Sequence, residues 1–261
     1  MARLTWGDPE TRRFEDGISR AVLYVDGGYG VPWNGVVSIE EAPEGGEPHS
    51  FFYDGEKYKQ TFTSEVFEGK IEAYTYPDEF AVCMGLRSIR PGFGIGYQNK
   101  KPFNLCYRTE IGDGITQDKG YKLHLVYNVW AGATELTRQT RGSDSEPALF
   151  SWDLTTVPIK VPGYRSSSYF VLDSSAIEQE TMAAIEDLLY GTDETLATFP
   201  TTDEILSILG IPEDPITLTV FGDTFEVSGT RRQVSLLTGG RFSVDSDFVT
   251  VTDDKYTIST D

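Results

Sequence analysis

Residues 121–130 carry the clearest periodic signal in the chain, an alternation with a period of two. The apolar members are Leu123, Leu125, Tyr127 and Val129. The polar members are Lys122, His124 and Asn128. Because successive side chains of a β-strand point to opposite faces, this pattern predicts a strand with its apolar face on a core and a polar face opposite.

Shorter segments of the same kind recur along the chain, separated by glycine, proline and aspartate turns. The 26 Gly and 13 Pro among 261 residues are typical of many short strands joined by turns. Strands are predicted over 21–25, 36–40, 66–76, 148–157, 168–172, 216–221, 224–227, 233–237, 248–251 and 256–258. The predicted fold class is mainly β, a β-sandwich or barrel with one packed α-helix.

Two segments change to a helical period. An apolar stripe that ends before Gly191 predicts a helix over about 176–190, with Ser175 and Glu178 as a capping box. A shorter helix is predicted over 203–209, with Thr202 as its N-cap and Gly210 just past its end.

These elements predict three regions. Residues 1–19 are polar and form an N-terminal arm, and residues 20–200 form the main β domain. Residues 201–261 form a short helix with a small C-terminal β appendage.

A long excursion is predicted over about 41–65. Pro43, Gly45, Gly46 and Pro48 cannot continue a β-ladder, so the chain leaves the sheet there. Residues 52–58, which include Phe52, Tyr53 and Tyr58, form a hairpin tip around Asp54-Gly55, a dipeptide suited to left-handed turn positions.

The net charge of −19 comes from 41 acidic and 22 basic residues spread over the whole length. Non-specific nucleic-acid binding needs Lys and Arg to displace counterions, so the charge argues against an ordinary DNA-binding role. The charge suits a soluble surface, and it also suits a conduit wall to which DNA does not stick.

The start of the chain and its two cysteines bear on location. Cys83 and Cys106 have apolar or aromatic neighbours in the sequence, which indicates reduced buried thiols and synthesis in the cytoplasm. No apolar run approaches the ~20 residues that span a bilayer, and no signal segment is expected.

No motif indicates catalysis, a cofactor or a metal. His49 and His124 have no partner at zinc-like spacing. The glycines of 91–96 lack the strand-to-helix context of a phosphate loop. Weaker alternatives are carboxylate pairs (Asp78 with Glu79, Glu110 with Glu135), a calcium-binding turn at Asp245, Asp247, Asp253 and Asp254, and a basic patch at Lys100-Lys101.

Several motifs together resemble the major tail tube proteins of long-tailed bacteriophages (siphophages). They are 31–39 (VPWNGVVSI), 41–48 (EAPEGGEP), 71–80 (IEAYTYPDEF), 101–109 (KPFNLCYRT), 120–127 (GYKLHLVY), 145–156 (SEPALFSWDLTT) and 188–191 (LLYG). The resemblance covers most of residues 20–210 and is weaker from Pro215 to the end.

The resemblance implies a non-enzymatic virion subunit that forms hexameric rings, whose inner sheets join into one shared β-barrel. The rings stack into a non-contractile tube through which DNA leaves the virion, and the 41–65 excursion reaches the neighbouring ring. The implied partners are further copies, a tape measure protein in the lumen, and tail terminator and distal tail or baseplate proteins at the ends. DNA passes without specific binding, and no membrane is involved.

Three other functions stay open on the residues alone. The first is another virion component, such as a head decoration or connector protein. The second is a carbohydrate-binding β-sandwich with Trp33, Tyr74 and Trp130 as a stacking platform, and the third is a hydrolase that uses a carboxylate pair.

Overall fold

The computed structural model describes residues 13–63, 65–112, 120–132 and 147–211, and beyond these the backbone of five short strands. The chain divides into two compact units, Met1–Ile159 with Ser166–Pro200, and Lys160–Arg165 with Thr201–Asp261. The predicted strand 233–237 and the acidic turn residues Asp245, Asp253 and Asp254 lie outside the described residues.

The first unit is built almost entirely of antiparallel strands. Its elements are β1 (Phe14–Val25), β2 (Gly30–Pro32), β3 (Val36–Glu41), β4 (Pro48–Tyr53), β5 (Glu56–Phe62), β6 (Glu68–Ala73), a 3₁₀ helix (Asp78–Val82), β7 (Arg87–Arg90), β8 (Phe93–Ile95), β9 (Phe103–Gly112), β10 (Gly120–Ala131), β11 (Phe150–Thr156), β12 (Tyr169–Asp173) and α1 (Gln179–Tyr190). The mainly β prediction is therefore confirmed. The sequence predicts an arm over 1–19, whereas residues 14–19 lie in β1 and pair with β9.

One eight-stranded sheet organises this unit, in the order β2-β1-β9-β10-β11-β6-β3, with β12 also paired to β10. β10 pairs with β12 through residues 122–126 and with β11 through residues 129–131. The change of partner falls at Asn128, which has a positive φ of 51° and whose backbone N–H donates to Asn104 Oδ1. This bulge bends the strand between its two partners.

The main core is one cluster of buried side chains drawn from several strands. Buried side chains of β1, β9 and β10 share one cluster with Ile71 of β6 and with Trp152 and Leu154 of β11. Phe80 lies at its centre, with ring centroids 4.6 Å from Trp33, 5.4 Å from Phe103 and 5.1 Å from Trp152.

Helix α1 accounts for the burial of the alternate residues of the same strands. Tyr24, Cys106 and Leu125 are buried although they alternate with the main-core residues, and α1 buries Met182, Ile185 and Leu189. The Tyr24 hydroxyl donates to the carbonyl oxygen of Leu189, which joins β1 to the helix end. β10 thus has buried side chains on both faces, not on one as the alternation predicts.

The two cysteines are buried free thiols, as predicted. Burial raises the pKa of both Cys83 and Cys106 to about 12, so neither carries a thiolate at neutral pH.

The start of α1 differs from the prediction. The N-cap is Glu178, without a side-chain capping bond, and the helix begins three residues later than predicted. The Ser175 amide and hydroxyl both donate to Asp173 Oδ1, at 2.8 and 2.6 Å. This local turn occupies the serine that the sequence assigns to a capping box.

The second unit contains α2 (Thr202–Ile208) and the strands β13 (Thr217–Phe221), β14 (Thr224–Ser228), β15 (Phe242–Val244), β16 (Asp247–Thr252) and β17 (Lys255–Ser259). The N-cap of α2 is Thr201, not Thr202, and it forms a complete capping box with Glu204. Gly210 has a φ of 65° just past the helix, as predicted for a terminating glycine. β13 pairs with β14, and β15, β16 and β17 form a separate three-stranded sheet.

Candidate assembly surface

Residues 42–66 leave the main sheet between β3 and β6. We call this segment the arm; it is separate from the predicted N-terminal arm, residues 1–19. Within the arm, β4 and β5 form a two-stranded antiparallel sheet of their own. A bridge between Glu44 and Val66 closes the arm at its base. The predicted excursion thus contains a hairpin that pairs with no other strand among the described residues.

The tip of the arm is the predicted Asp-Gly turn. Asp54 and Gly55 both have positive φ, 49° and 81°, as a two-residue turn that matches the twist of a hairpin requires. Along the strands, Phe51 faces Lys59 and Phe52 faces Lys57, so Tyr58 is an extra residue, a bulge.

The arm exposes an unusual amount of aromatic surface. Its five large aromatic side chains are between 55% and 80% exposed: Phe51, Phe52, Tyr53, Tyr58 and Phe62. Single exposed apolar residues are ordinary, but a group of five on one hairpin marks an interaction surface.

Aromatic residues occupy both faces of the ribbon. Phe51 and Tyr53 alternate with Phe52 along β4, and Phe62 lies on the Phe52 face through the pairing of Pro48 with Phe62. Two-stranded hairpins are at best marginally stable alone in water, so the arm gains most from a partner that covers it.

Of the predicted arm residues, Pro43, Gly45, Pro48, Phe52, Tyr53 and Tyr58 are exposed, and Gly46 is half-buried. Gly46 has a φ of 74°, and a Cβ there would lie 2.6 Å from Glu65 Oε1. The prediction did not single out Phe51 and Phe62, although their aromatic character within the same segment was the available signal.

The base of the arm is joined to the main sheet by a polar cluster around Glu41, the last residue of β3. The two oxygens of its carboxylate lie 3.0 and 2.9 Å from Tyr169 Oη, which donates to it, and Tyr107 also donates to it. Tyr107 lies in β9 and Tyr169 in β12, so one carboxylate connects the start of the arm to two strands.

His124 lies within this cluster and not on a solvent face as the sequence predicts. Only 5% of the residue is exposed. Its Nδ1 is 2.6 Å from Tyr169 Oη, its Nε2 is 2.9 Å from Thr109 Oγ1, and its ring stacks on Tyr107 at 4.6 Å. Both nitrogens have partners, so a neutral ring is accommodated in the interior.

Charge states in the cluster follow from burial. Burial lowers the pKa of His124, and the nearby Glu41 and Glu15 offset this only in part. Burial also raises the pKa of Tyr107 and Tyr169, and the Glu41 carboxylate raises both further. A neutral imidazole and neutral phenols therefore surround an acceptor carboxylate, an arrangement that fixes the backbone at the entrance to the arm.

The other candidate chemistries are not assembled among the described residues. No group of three or more His, Cys, Asp or Glu is placed there to hold a metal ion. Asp78 and Glu79 are exposed in the first turn of the 3₁₀ helix. Lys100 Nζ donates to the carbonyl of Ala131 at 2.6 Å, and Lys100 forms no ion pair with another described residue.

The proposed stacking platform does not form as an exposed surface. Trp33 is 2% exposed and packs in the core, and Trp130 is half-buried, while Tyr74 alone of the three is exposed. A surface cleft of about 520 Å³ beside β1 is lined by neither carboxylates nor histidines.

Comparison of the sequence with protein-family models finds no match, and comparison with curated proteins finds no significant match. Within the part of the chain that the structure describes, no helix has both the length and the apolar character needed to cross a membrane.

Proposed function

We propose that this chain is a structural virion subunit, the major tail tube protein of a long-tailed bacteriophage. The observation that carries the proposal is the arm, a hairpin with five exposed aromatic residues whose base is held by hydrogen bonds from Tyr107 and Tyr169 to Glu41. A hairpin that is tied to the main sheet at its base and uncovered along its aromatic strands is what a subunit that joins other subunits needs.

In the proposed assembly, six copies form a ring and the rings stack into a tube. The main sheet would act as a β-sandwich, and its inner strands would join those of neighbouring copies into a shared barrel. Closure of this kind would cover the free edge of β3, the last strand in the sheet order.

The length of the arm supports its role as the contact between rings. Ten residues separate the bridge residue Glu44 from the tip at Asp54. Gly45 and Gly46 have positive φ, so the extended part is β4 (Pro48–Tyr53), whose six residues span roughly 20 Å at about 3.3 Å per residue. That distance exceeds the thickness of a single sheet layer, about 10 Å, so the tip extends beyond the surface from which it starts.

The proposed tube conducts DNA and does not bind it. A charge of −19 on each copy gives the assembly a field that repels phosphates. The proposed location is the virion tail, after synthesis in the host cytoplasm. A tape measure protein in the lumen and terminator and distal tail proteins at the ends complete the proposed set of partners, and no catalytic step or cofactor is proposed.

Shortening the arm tests the proposal. The Thr63 amide donates to the Glu47 carbonyl at 3.1 Å, so residues 48–62 can be replaced by a two-residue Asn-Gly turn without straining the ends. The shortened chain should stay folded and should fail to form the large assemblies that the intact chain forms in analytical ultracentrifugation.

The matched control removes exposed apolar groups elsewhere. Tyr29→Ser with Leu196→Ser changes two side chains that are 60% and 62% exposed outside the arm, and it should leave assembly unchanged. Assembly of the shortened chain at the concentration required by the intact chain would contradict the role of the arm.

A further inference from the structure

A second exposed hairpin, separate from the arm, is formed by β7 and β8. Pro91 and Gly92 make its turn, and Gly92 has a φ of 81°. Ile89, Phe93 and Ile95 are between 44% and 56% exposed, and Tyr97 just after β8 is fully exposed. Like the arm, this hairpin pairs with no other strand among the described residues and leaves its apolar side chains uncovered.

The charge of this hairpin is opposite to that of the chain as a whole. No Asp or Glu occurs from residue 81 to residue 109, and this stretch contains Arg87, Arg90, Lys100, Lys101 and Arg108. Arg108 is paired with Glu110, and Lys100 is bound to a carbonyl. Arg87, Arg90 and Lys101 are exposed, and none of them has an ion-pair partner among the residues that the structure describes.

The base of the arm carries the complementary charge. Residues 40–47 contain four glutamates and no basic residue. On the other side of the arm, Glu65 lies between β5 and β6, and Glu68 is the first residue of β6. Glu44 pairs through its backbone with Val66, which brings the two sides together. Partial burial, and then the neighbouring Glu44 carboxylate, raise the pKa of Glu68. We call Glu44, Glu47, Glu65 and Glu68 the glutamate cluster.

We propose that the β7–β8 hairpin of one copy docks against the glutamate cluster at the foot of the arm of a second copy. Its arginines then neutralise glutamates that have no basic partner in their own subunit among the described residues, and its apolar side chains are covered. The inference rests on the proposed self-assembly and names the two surfaces that meet. Complementary charge of this kind determines orientation and register as well as partner choice.

A nucleic acid is the other occupant that basic residues suggest, and the rest of the molecule argues against it. Binding to phosphates would have to overcome the field of a chain with a net charge of −19. A second copy presents the glutamate cluster together with its aromatic arm. It can therefore pair with the arginines of the hairpin and also cover its apolar side chains.

Charge reversal in the full-length chain tests the pairing. Arg87→Glu with Arg90→Glu, or Glu44→Lys with Glu47→Lys, should each raise the concentration needed for assembly about tenfold or more, because like charges then face each other. A 1:1 mixture of the two variants should assemble again, and so should one chain that carries all four reversals. Circular dichroism melting checks that every variant is folded.

Matched controls reverse exposed charges elsewhere. Lys160→Glu with Arg165→Glu and Asp193→Lys with Glu194→Lys make equal changes in net charge at exposed positions outside both surfaces, and they should leave assembly unchanged. Higher salt should weaken assembly of the intact chain, because it screens exposed charge pairs.

The outcomes separate this inference from the proposed function. An intact chain that stays monomeric contradicts both the proposed tail tube function and the docking of the two surfaces. An intact chain that assembles, while the reversals have no effect or the four-reversal chain does not recover, overturns the pairing and leaves the proposed function standing. Binding of a DNA duplex at physiological salt that is lost on Arg87→Glu with Arg90→Glu would also overturn it, in favour of a nucleic-acid surface.

Discussion

Glu41 and Tyr169 are 128 residues apart in the chain, yet the Tyr169 hydroxyl lies within 3.0 Å of both oxygens of the Glu41 carboxylate. Glu41 ends β3 and precedes the arm, so this contact ties the start of the arm to β12. The rigid attachment of an otherwise exposed element therefore depends on a contact that no local sequence pattern encodes.

Glu41→Gln should weaken this attachment. A neutral amide accepts weaker hydrogen bonds than a carboxylate, so we expect a loss of about 1 kcal/mol in the free energy of unfolding, reduced from the buried value by the partial exposure of the side chain. Urea denaturation measures the change. Glu47→Gln, a glutamate on the exposed side of the arm, is the control and should be neutral; equal effects of the two substitutions would contradict the role of Glu41.

His124 should make stability depend on pH. Its pKa is lowered in the folded state, chiefly by burial, so the unfolded chain binds the additional proton as the pH falls through about 6.5. The contribution of the neutral ring is present above that pH and is lost below it. The free energy of unfolding should therefore fall more steeply between pH 7 and pH 5 in the intact chain than in a His124→Gln chain, and parallel profiles would contradict this.

The aromatic side chains of the arm should matter for association and not for folding. Phe52→Ser with Phe62→Ser changes one face of the ribbon, and Phe51→Ser with Tyr53→Ser changes the other. All four residues are more than half exposed, so each substitution should alter stability by less than about 0.5 kcal/mol. Sedimentation should show weaker association in both variants, and a large drop in melting temperature would show that the arm is part of the folding core.

The centre of the main core should respond in the opposite way. Phe80 is fully buried among Trp33, Phe103 and Trp152, so Phe80→Ala should lower the free energy of unfolding by about 3–5 kcal/mol. Phe93→Ala, at an exposed position of the β7–β8 hairpin, is the matched control. A loss below about 1 kcal/mol at Phe80 would place the core elsewhere.

Local signals in the sequence predicted local structure well. The Asp54-Gly55 dipeptide identified the tip of the arm, and Gly191 and Gly210 marked the ends of the helices, because each follows from the conformation of a few neighbouring residues. Both helices begin at a residue other than the predicted one, because neighbouring polar side chains compete for the capping hydrogen bonds. Two adjacent threonines, Thr201 and Thr202, were both available as caps for α2, and the first has the hydroxyl that meets the Glu204 amide.

Long-range relationships could not be predicted in this way. The burial of His124 depends on Tyr107 and Tyr169, which come from strands that the sheet order brings beside β10. The interpretation of the alternation in 121–130 assumes one covered face, whereas β10 packs against α1 on one face and shares a buried cluster with β6 and β11 on the other. The aromatic arm was predictable as an excursion, but its attachment through Glu41 was not.

Negative-stain electron microscopy of the purified intact chain at high concentration tests the central claim most directly. The account predicts rings or tubes with a central hole and sixfold symmetry, lost when residues 48–62 are replaced by a short turn. A monodisperse monomer that persists at every concentration in parallel sedimentation runs would contradict the assembly of this chain into a tail tube.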